Sequence, residues 1–363
     1  MRRRRLALAI LASIAAAAGA AILSAIGGER SLTEKAQLVA ALGADEITTC
    51  WLSNDRMLVV VTDRSENAMG GGWHGRAEEI EVSTGRRTPL TGLTTTFDRL
   101  GQSPYWLNPS PGGQYLLFHR VRDDFPLVAT VALDGSRFRD GLQPRTLVTA
   151  WRDSSHLDLI GEQWEGPIIE VDGSGAEKDR SIPRDGAAAA SLLASRRRSA
   201  PLEIAVAARS GVPPNRVLWF DLTSTNERDA RQSQSGYRSF GIPAPKGFDA
   251  LNNAILSHGG RTVLYDMNTT AVPEIARRIH ALISTFPARA KLYEELWTSD
   301  STGGSLRELG SQQILGPQTR LYLDNIDWSP DNKRISFTFN QALYVLPVPE
   351  AGDTDRDKEN SHR

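Results

Sequence analysis

Cysteine is nearly absent from this chain: Cys50 is the only one in 363 residues. No intrachain disulfide can form, so stability has to come from a buried core, which a chain of this length can build. Cys50 precedes Trp51 in an apolar stretch and reads as a small buried residue rather than a nucleophile. Excess positive charge is missing too. Lys and Arg number 42 against 43 Asp and Glu, and the net charge of −1 includes Arg2, Arg3, Arg4 and Arg5, which leaves the remainder at −5. A nucleic-acid binder needs a basic face, so that class is not expected. Strong catalytic signatures are lacking: there is no G-x-S-x-G, no H-E-x-x-H and no phosphate-cradling glycine loop. His74, His119, His156, His258 and His280 are scattered without ligand spacing, so neither a metal nor another cofactor is expected. Asp353-x-Asp355-x-Asp357 has the rhythm of a calcium loop, but Lys358 stands where that loop needs glycine.

What is present starts with the leader. The four arginines are followed by residues 6–28, a run without charge that is mostly Ala, Leu and Ile. A basic flank ahead of an apolar run reads as a secretory signal or a membrane anchor. Its length, close to the ~20 residues that span a bilayer, favours an uncleaved anchor. Ala25-Ile26-Gly27 supplies small residues at a cleavage point and keeps the secreted form open. In both cases the positive-inside rule leaves the arginines cytoplasmic and sends the body outward, to a periplasm or the cell surface. Residues 1–28 are thus a signal-anchor or signal peptide, 29–44 a juxtamembrane or closing segment and 45–350 the body. Residues 351–363, polar and charged, form a disordered tail.

The body repeats one pattern. Ser110-Pro111-Gly112-Gly113-Gln114-Tyr115-Leu116-Leu117-Phe118, Ser257-His258-Gly259-Gly260-Arg261-Thr262-Val263-Leu264-Tyr265 and Ser329-Pro330-Asp331-Asn332-Lys333-Arg334-Ile335-Ser336-Phe337 align without gaps. Each is a tight turn feeding a short apolar strand; Gly and Asn accept positive φ, Pro fixes the turn entrance, and Asp or Ser bonds back to the backbone. Trp51-Leu52-Ser53-Asn54-Asp55-Arg56-Met57 and Trp151-Arg152-Asp153-Ser154-Ser155-His156-Leu157 form a second matching pair. A further strand and polar turn follow each, as in Ile80-Glu81-Val82-Ser83-Thr84-Gly85 and Ile169-Glu170-Val171-Asp172-Gly173. Six units fill residues 45–350 at a period near 50, with residues 202–208 giving the fourth its inner strand. Short strands, regular turns and few helical periodicities predict an all-β body. Four strands per unit, repeated radially, is the β-propeller solution to the edge-strand problem. Six blades are expected, with seven the alternative, after an N-terminal hydrophobic helix.

Trp328-Ser329-Pro330-Asp331-Asn332-Lys333-Arg334-Ile335-Ser336-Phe337 and the following Ala342-Leu343-Tyr344-Val345-Leu346 resemble the blade repeat of TolB-like (WD40-like) β-propellers. Asn332 replaces the usual glycine. The resemblance is close in the last blade, partial in the second and fifth and degenerate elsewhere. It implies the fold far more than a function. The sixth unit stops after three strands, so the ring needs a closing strand. Residues 37–42 can supply it; the competing reading is a helix begun by the capping box Ser31-x-x-Glu34 and ended by Gly43.

Two insertions stand out. Residues 64–77 of the first unit carry Met69-Gly70-Gly71-Gly72-Trp73-His74; residues 269–292 of the fifth lie at the equivalent connection. In the latter, Pro273 suits a first helical position, and Ile275, Ile279, Leu282 and Ile283 make one apolar helical face with Arg277, Arg278 and His280 elsewhere around it. Long insertions on a repeat scaffold map to one face, often the binding face. Trp73, His74, Arg277 and Arg278 are therefore the candidate partner-binding residues, against the plain alternative that the helix is a lid and Trp73 packs beneath it. The expected function is a non-catalytic module in the cell envelope that binds a protein, peptide or glycan, held to the membrane through its leader. The alternative is a secreted glycan hydrolase or lyase with a site in the central channel. Its few candidates near the starts of the inner strands are Asp153, His156, His258 and Asp327.

Overall fold

The computed structural model describes residues 31–43, 46–62, 75–101, 104, 106–122, 125–140, 146–151, 153–161, 168–181, 203–206, 216–221, 237–241, 248–258, 261–272, 277, 280–281, 290–300, 304–314 and 322–349. The leader and the C-terminal tail lie outside these residues. No helix among them is long and apolar enough to cross a membrane.

The described chain opens with a single helical turn, α1 (Leu32–Lys35), and a strand, β1 (Gln37–Ala41). Both readings of this segment hold in part. The Ser31 N–H donates to Glu34 Oε2 at 3.0 Å, the capping-box bond. The helix ends at Ala36 rather than Gly43, and strand follows at once.

Strand dominates what comes next. The first sheet orders β2 (Glu46–Ser53), β3 (Arg56–Thr62), β4 (Gly75–Glu81) and β5 (Arg87–Pro89) side by side. After α2 (Thr91–Leu100), the second sheet holds β6 (Trp106–Pro109), β7 (Tyr115–Arg122) and β8 (Phe125–Ala132). The third is β9 (Thr146–Trp151), β10 (His156–Gly161), β11 (Ile168–Asp172) and β12 (Glu177–Ser181). The fourth is β13 (Glu203–Val206), β14 (Arg216–Asp221) and β15 (Tyr237–Gly241). The fifth is β16 (Phe248–Leu256), β17 (Thr262–Ala271), β18 (Lys291–Asp300) and β19 (Arg307–Gln313). The sixth is β20 (Asp324–Trp328), β21 (Arg334–Phe339) and β22 (Ala342–Pro347), completed on the far side of β22 by β1. Every pairing is antiparallel within its own sheet. In the first sheet the second strand is the most apolar: β3 reads Met-Leu-Val-Val-Val from Met57, buried throughout, because β-branched and large residues suit a strand covered on both faces.

The aligned turns share one set of bonds. Ser110, Ser257 and Ser329 are buried, and each hydroxyl accepts the N–H five residues on: Tyr115 at 3.0 Å, Thr262 at 3.1 Å and Arg334 at 2.9 Å. The backbone closes the same loop from the other side, with each serine N–H donating to the carbonyl five residues on at 2.8 Å. Gly113 and Asn332 occupy the same turn position at φ 68° and 59°, which is why asparagine serves where the repeat favours glycine. These turns follow the first strand and do not open it. Asp327 and His258, expected near the starts of inner strands, sit instead at the finish of a first strand: Asp327 and Trp328 close β20, and His258 lies in the β16–β17 turn.

Trp328 and Trp151 explain the tryptophan of the repeat. Each ends a first strand, is buried, and donates its indole N–H at 3.1 Å to a backbone carbonyl in the first strand of the preceding sheet: Trp328 to Ile255, Trp151 to Asn108. Neighbouring sheets are thus pinned by one residue that supplies both apolar bulk and a satisfied donor.

The last sheet takes its fourth strand from the N-terminal side. Ala41 pairs with Ala342 and Gln37 with Val345. The outer edge of β1 is then covered by the first sheet: Arg76 donates to the Leu42 carbonyl at 3.0 Å, Arg87 to the Ala41 carbonyl, and Gln37 to the Val82 carbonyl at 3.1 Å. Gly85 makes this approach possible, since it has φ 69° and a Cβ there would stand 2.8 Å from the Val39 carbonyl oxygen. The edge that would otherwise template aggregation is closed.

Candidate functional site

The direction of neighbouring first strands decides which loops share a face. Asn325, second in β20, donates to the Ile47 carbonyl at 2.8 Å and accepts from the Thr49 N–H at 3.3 Å, both near the start of β2. Thr48 donates to the Pro104 carbonyl, just before β6, at 2.9 Å. At the other end, the close of β20 meets the close of β16 through Trp328 and Ile255. So β16, β20, β2 and β6 run side by side in one direction. In an antiparallel sheet the connection after the second strand returns to the end where the first strand starts. The β3–β4 and β17–β18 connections therefore leave from one common face, the leading end.

Three of the four strands at these connections, β4, β17 and β18, reach further into them than the sequence suggests. The insertions shrink to residues 63–74 and 272–290, since β3 runs to Thr62, β4 begins at Gly75, β17 runs to Ala271 and β18 begins at Lys291. Trp73, His74 and Arg278 lie outside the described residues, as do Ile275, Ile279, Leu282 and Ile283. Arg277 and His280 are helical and exposed, as expected for the polar side of a helix in this insertion.

Just below the leading end, the seam between the fifth and sixth sheets holds a group that sequence reasoning missed. Asp266 on β17 and Glu294 on β18 are diagonal neighbours across the pairing of the two strands and are only 6% and 2% exposed. Glu294 Oε2 accepts the Leu323 N–H at 2.7 Å, and Asn252 Nδ2 donates to Asp266 Oδ1 at 3.3 Å and to Asn268 Oδ1 at 3.1 Å. Burial pushes both carboxyls above the usual carboxylate range, and the negative charge of Asp324 adds to it. The dry seam thus favours the neutral forms of both carboxyls. The signal was there in the alternation: Glu294 shares its strand face with buried Leu296 and Thr298.

The residues considered for a channel site do not gather at the leading end. Asp153 and His156 form a local turn, with Asp153 Oδ1 accepting the Ser155 and His156 N–H groups at 2.7 and 2.8 Å and its carboxylate bound to His156 Nδ1 at 2.9 Å. His258 Nε2 lies 3.2 Å from the Trp328 carbonyl. Desolvation raises Asp327, partly offset by the charge of His258, and burial with the charge of Asp327 pushes the Cys50 thiol well up. A thiol held in its neutral form and buried is a core group, as the sequence indicates. Among the described residues, no three His, Cys, Asp or Glu side chains come together as a metal site.

No family model matches this chain, and no curated protein sequence matches it. Solved structures similar to it include WD40 and β-propeller domains. The C-terminal WD40 domain of Sif2 is 11% identical over 84% of this chain and 82% of its own, with a TM-score of 0.41. The β-propeller domain of the Trilobed protease from Pyrococcus furiosus, described as having an open velcro topology, is 12% identical over 85% of each chain, TM-score 0.35. A TolB from Agrobacterium tumefaciens is 13% identical over 84% of this chain and 90% of its own, TM-score 0.35.

Proposed function

We propose that the chain is a six-bladed β-propeller that acts as a non-catalytic binding module in the cell envelope, held at the membrane by its leader and taking a protein, peptide or glycan on its leading end. The observation that carries this reading is the common origin of the two insertions at one end of parallel first strands, with Arg277 and His280 exposed there. The sequence adds Gly70-Gly71-Gly72 beside Trp73 on one insertion and Arg278 on the other. Glycines are costly to order without a reason, and Trp and Arg are favoured at the centres of interfaces. The double change Trp73→Ala and Arg278→Ala tests it. The variant is expected to melt within ~1 kcal/mol of the parent, as surface changes do, and to lose whatever the parent retains from envelope extract. A variant that loses stability instead identifies a self-packed lid.

One observation favours a second reading, an enzyme acting on glycans. Asp266 and Glu294 are neighbouring buried carboxyls raised above the usual range, and hydrolases use carboxyl pairs with shifted pKa values as acid and base. Their burial in the seam keeps a substrate away from them, so the binding reading is preferred.

A further inference from the structure

The described body starts very close to the leader. Only Glu29 and Arg30 separate Gly28, the last residue of the apolar run, from Ser31. Three residue steps span at most about 10 Å. From Ser31 on, the chain is fixed. Leu32 is fully buried among Leu264, Leu296, Leu309 and Trp328, Thr33 donates to Gln312 Oε1 at 3.2 Å, and Lys35 to the Leu309 carbonyl at 3.1 Å. Gln312 pairs with Glu294, and Glu294 holds the Leu323 N–H. The leader therefore joins the body at the seam between the fifth and sixth sheets, toward its leading end.

That same place exposes apolar surface. Among the described residues three large apolar side chains are exposed: Leu38, Leu292 and Tyr322. Two of them are here. Leu292 is the second residue of β18, one pair toward the leading end from Glu294, and Tyr322 precedes Leu323. Exposed Lys291 is next to Leu292, and the insertion that carries Arg277 and His280 leaves and returns at Ala271 and Lys291. A leucine, a tyrosine and flanking cations around a short tether are the chemistry of a bilayer interface, where Tyr sits at headgroup level and Lys or Arg reaches lipid phosphate.

We propose that the leading end of this seam rests on the bilayer that holds the leader, with Leu292 and Tyr322 at the headgroup level. The inference rests on residues 6–28 remaining in the chain as an anchor and goes beyond the proposed function: the partner of the leading end is met at the membrane surface, not in free solution.

The test uses the full-length chain with Cys50→Ala, carrying one new cysteine at a time: Leu292→Cys, Tyr322→Cys, or Arg261→Cys at the opposite end of the fifth sheet. Each is labelled with an environment-sensitive dye and reconstituted in vesicles of phosphatidylethanolamine and phosphatidylglycerol that carry a nitroxide on the headgroup. The expected result is flotation with the vesicles and strong lipid-nitroxide quenching at positions 292 and 322 but not at 261. Flotation with all three dyes equally open to an aqueous quencher overturns the proposal and leaves the anchor standing. A chain that does not float overturns both.

Discussion

Trp328 shows what a single residue does in this fold. It fills the space between the fifth and sixth sheets and spends its indole N–H on the Ile255 carbonyl. Trp328→Ala is expected to cost ~3–5 kcal/mol, as large-to-small core changes do, read as a fall in melting temperature. Trp328→Phe keeps most of the bulk and loses the indole bond to the Ile255 carbonyl, so it should cost less, about 0.5–1.5 kcal/mol for the lost bond. An alanine variant that melts with the parent would contradict the pinning role. Trp328 was legible because its turn repeats in the sequence. Trp51 was legible as part of a repeated segment, but its surroundings were not: its ring lies 5.4 Å from the Arg334 guanidinium, a contact set by how two sheets meet. Glu294 was hidden for the opposite reason. A glutamate between Tyr293 and Glu295 looks like a surface strand until the buried partners on its own face are counted.

Among the elements, β1 and the seam carry the consequences. Removing residues 1–43 takes away Leu32, Val39, Ala40 and Leu42, all buried, and opens the edge of β22. At ~1.5–3 kcal/mol for each large side chain, the truncated body should melt far below the parent and be cleaved quickly near β22 in limited proteolysis. Equal resistance would show that β1 is dispensable. The seam predicts a pH dependence. Asp266 and Glu294 have folded values raised to about 6 and about 9, above those of free carboxyls. Between pH ~4 and the folded values the native state therefore holds more protons than the unfolded chain, so stability falls as pH rises. Asp324, itself raised by desolvation, faces the pair from the sixth sheet and strengthens the effect. Glu294→Gln keeps an acceptor for the Leu323 N–H and removes the titration. Its melting temperature should vary less from pH 5 to pH 8 than the parent's, by about 1–3 kcal/mol in stability; parallel profiles would remove the pair from the account. One element escaped the sequence altogether. Residues 91–100 hold four threonines and no side-chain N-cap bond, yet form α2, because Leu93 and Phe97 pack between the first two sheets, with Phe97 edge-on to Phe118 at 5.3 Å. Tertiary burial outweighs weak propensity there.

For the molecule as a whole, the repeat was readable because three of the units meet the same backbone need with the same residue, a buried serine (Ser110, Ser257, Ser329) under a tight turn that leads into the second strand. What joins the units was not readable, since it depends on contacts between residues tens to hundreds apart, such as Arg76 with Leu42 or Asn325 with Ile47. The closing strand lay between the two, its capping box and its strand each visible while their coexistence was not. The face of the insertions was inferred from equivalent connections, and the parallel first strands give that inference its geometry. Backbone hydrogen exchange of the body, alone and in complex with the partner it retains, reads this most directly. Protection is expected at residues 63–74 and 272–290 and at the leading ends of β2, β18 and β20. Protection confined to the opposite turns, at residues 53–56, 257–262 and 329–334, would contradict it.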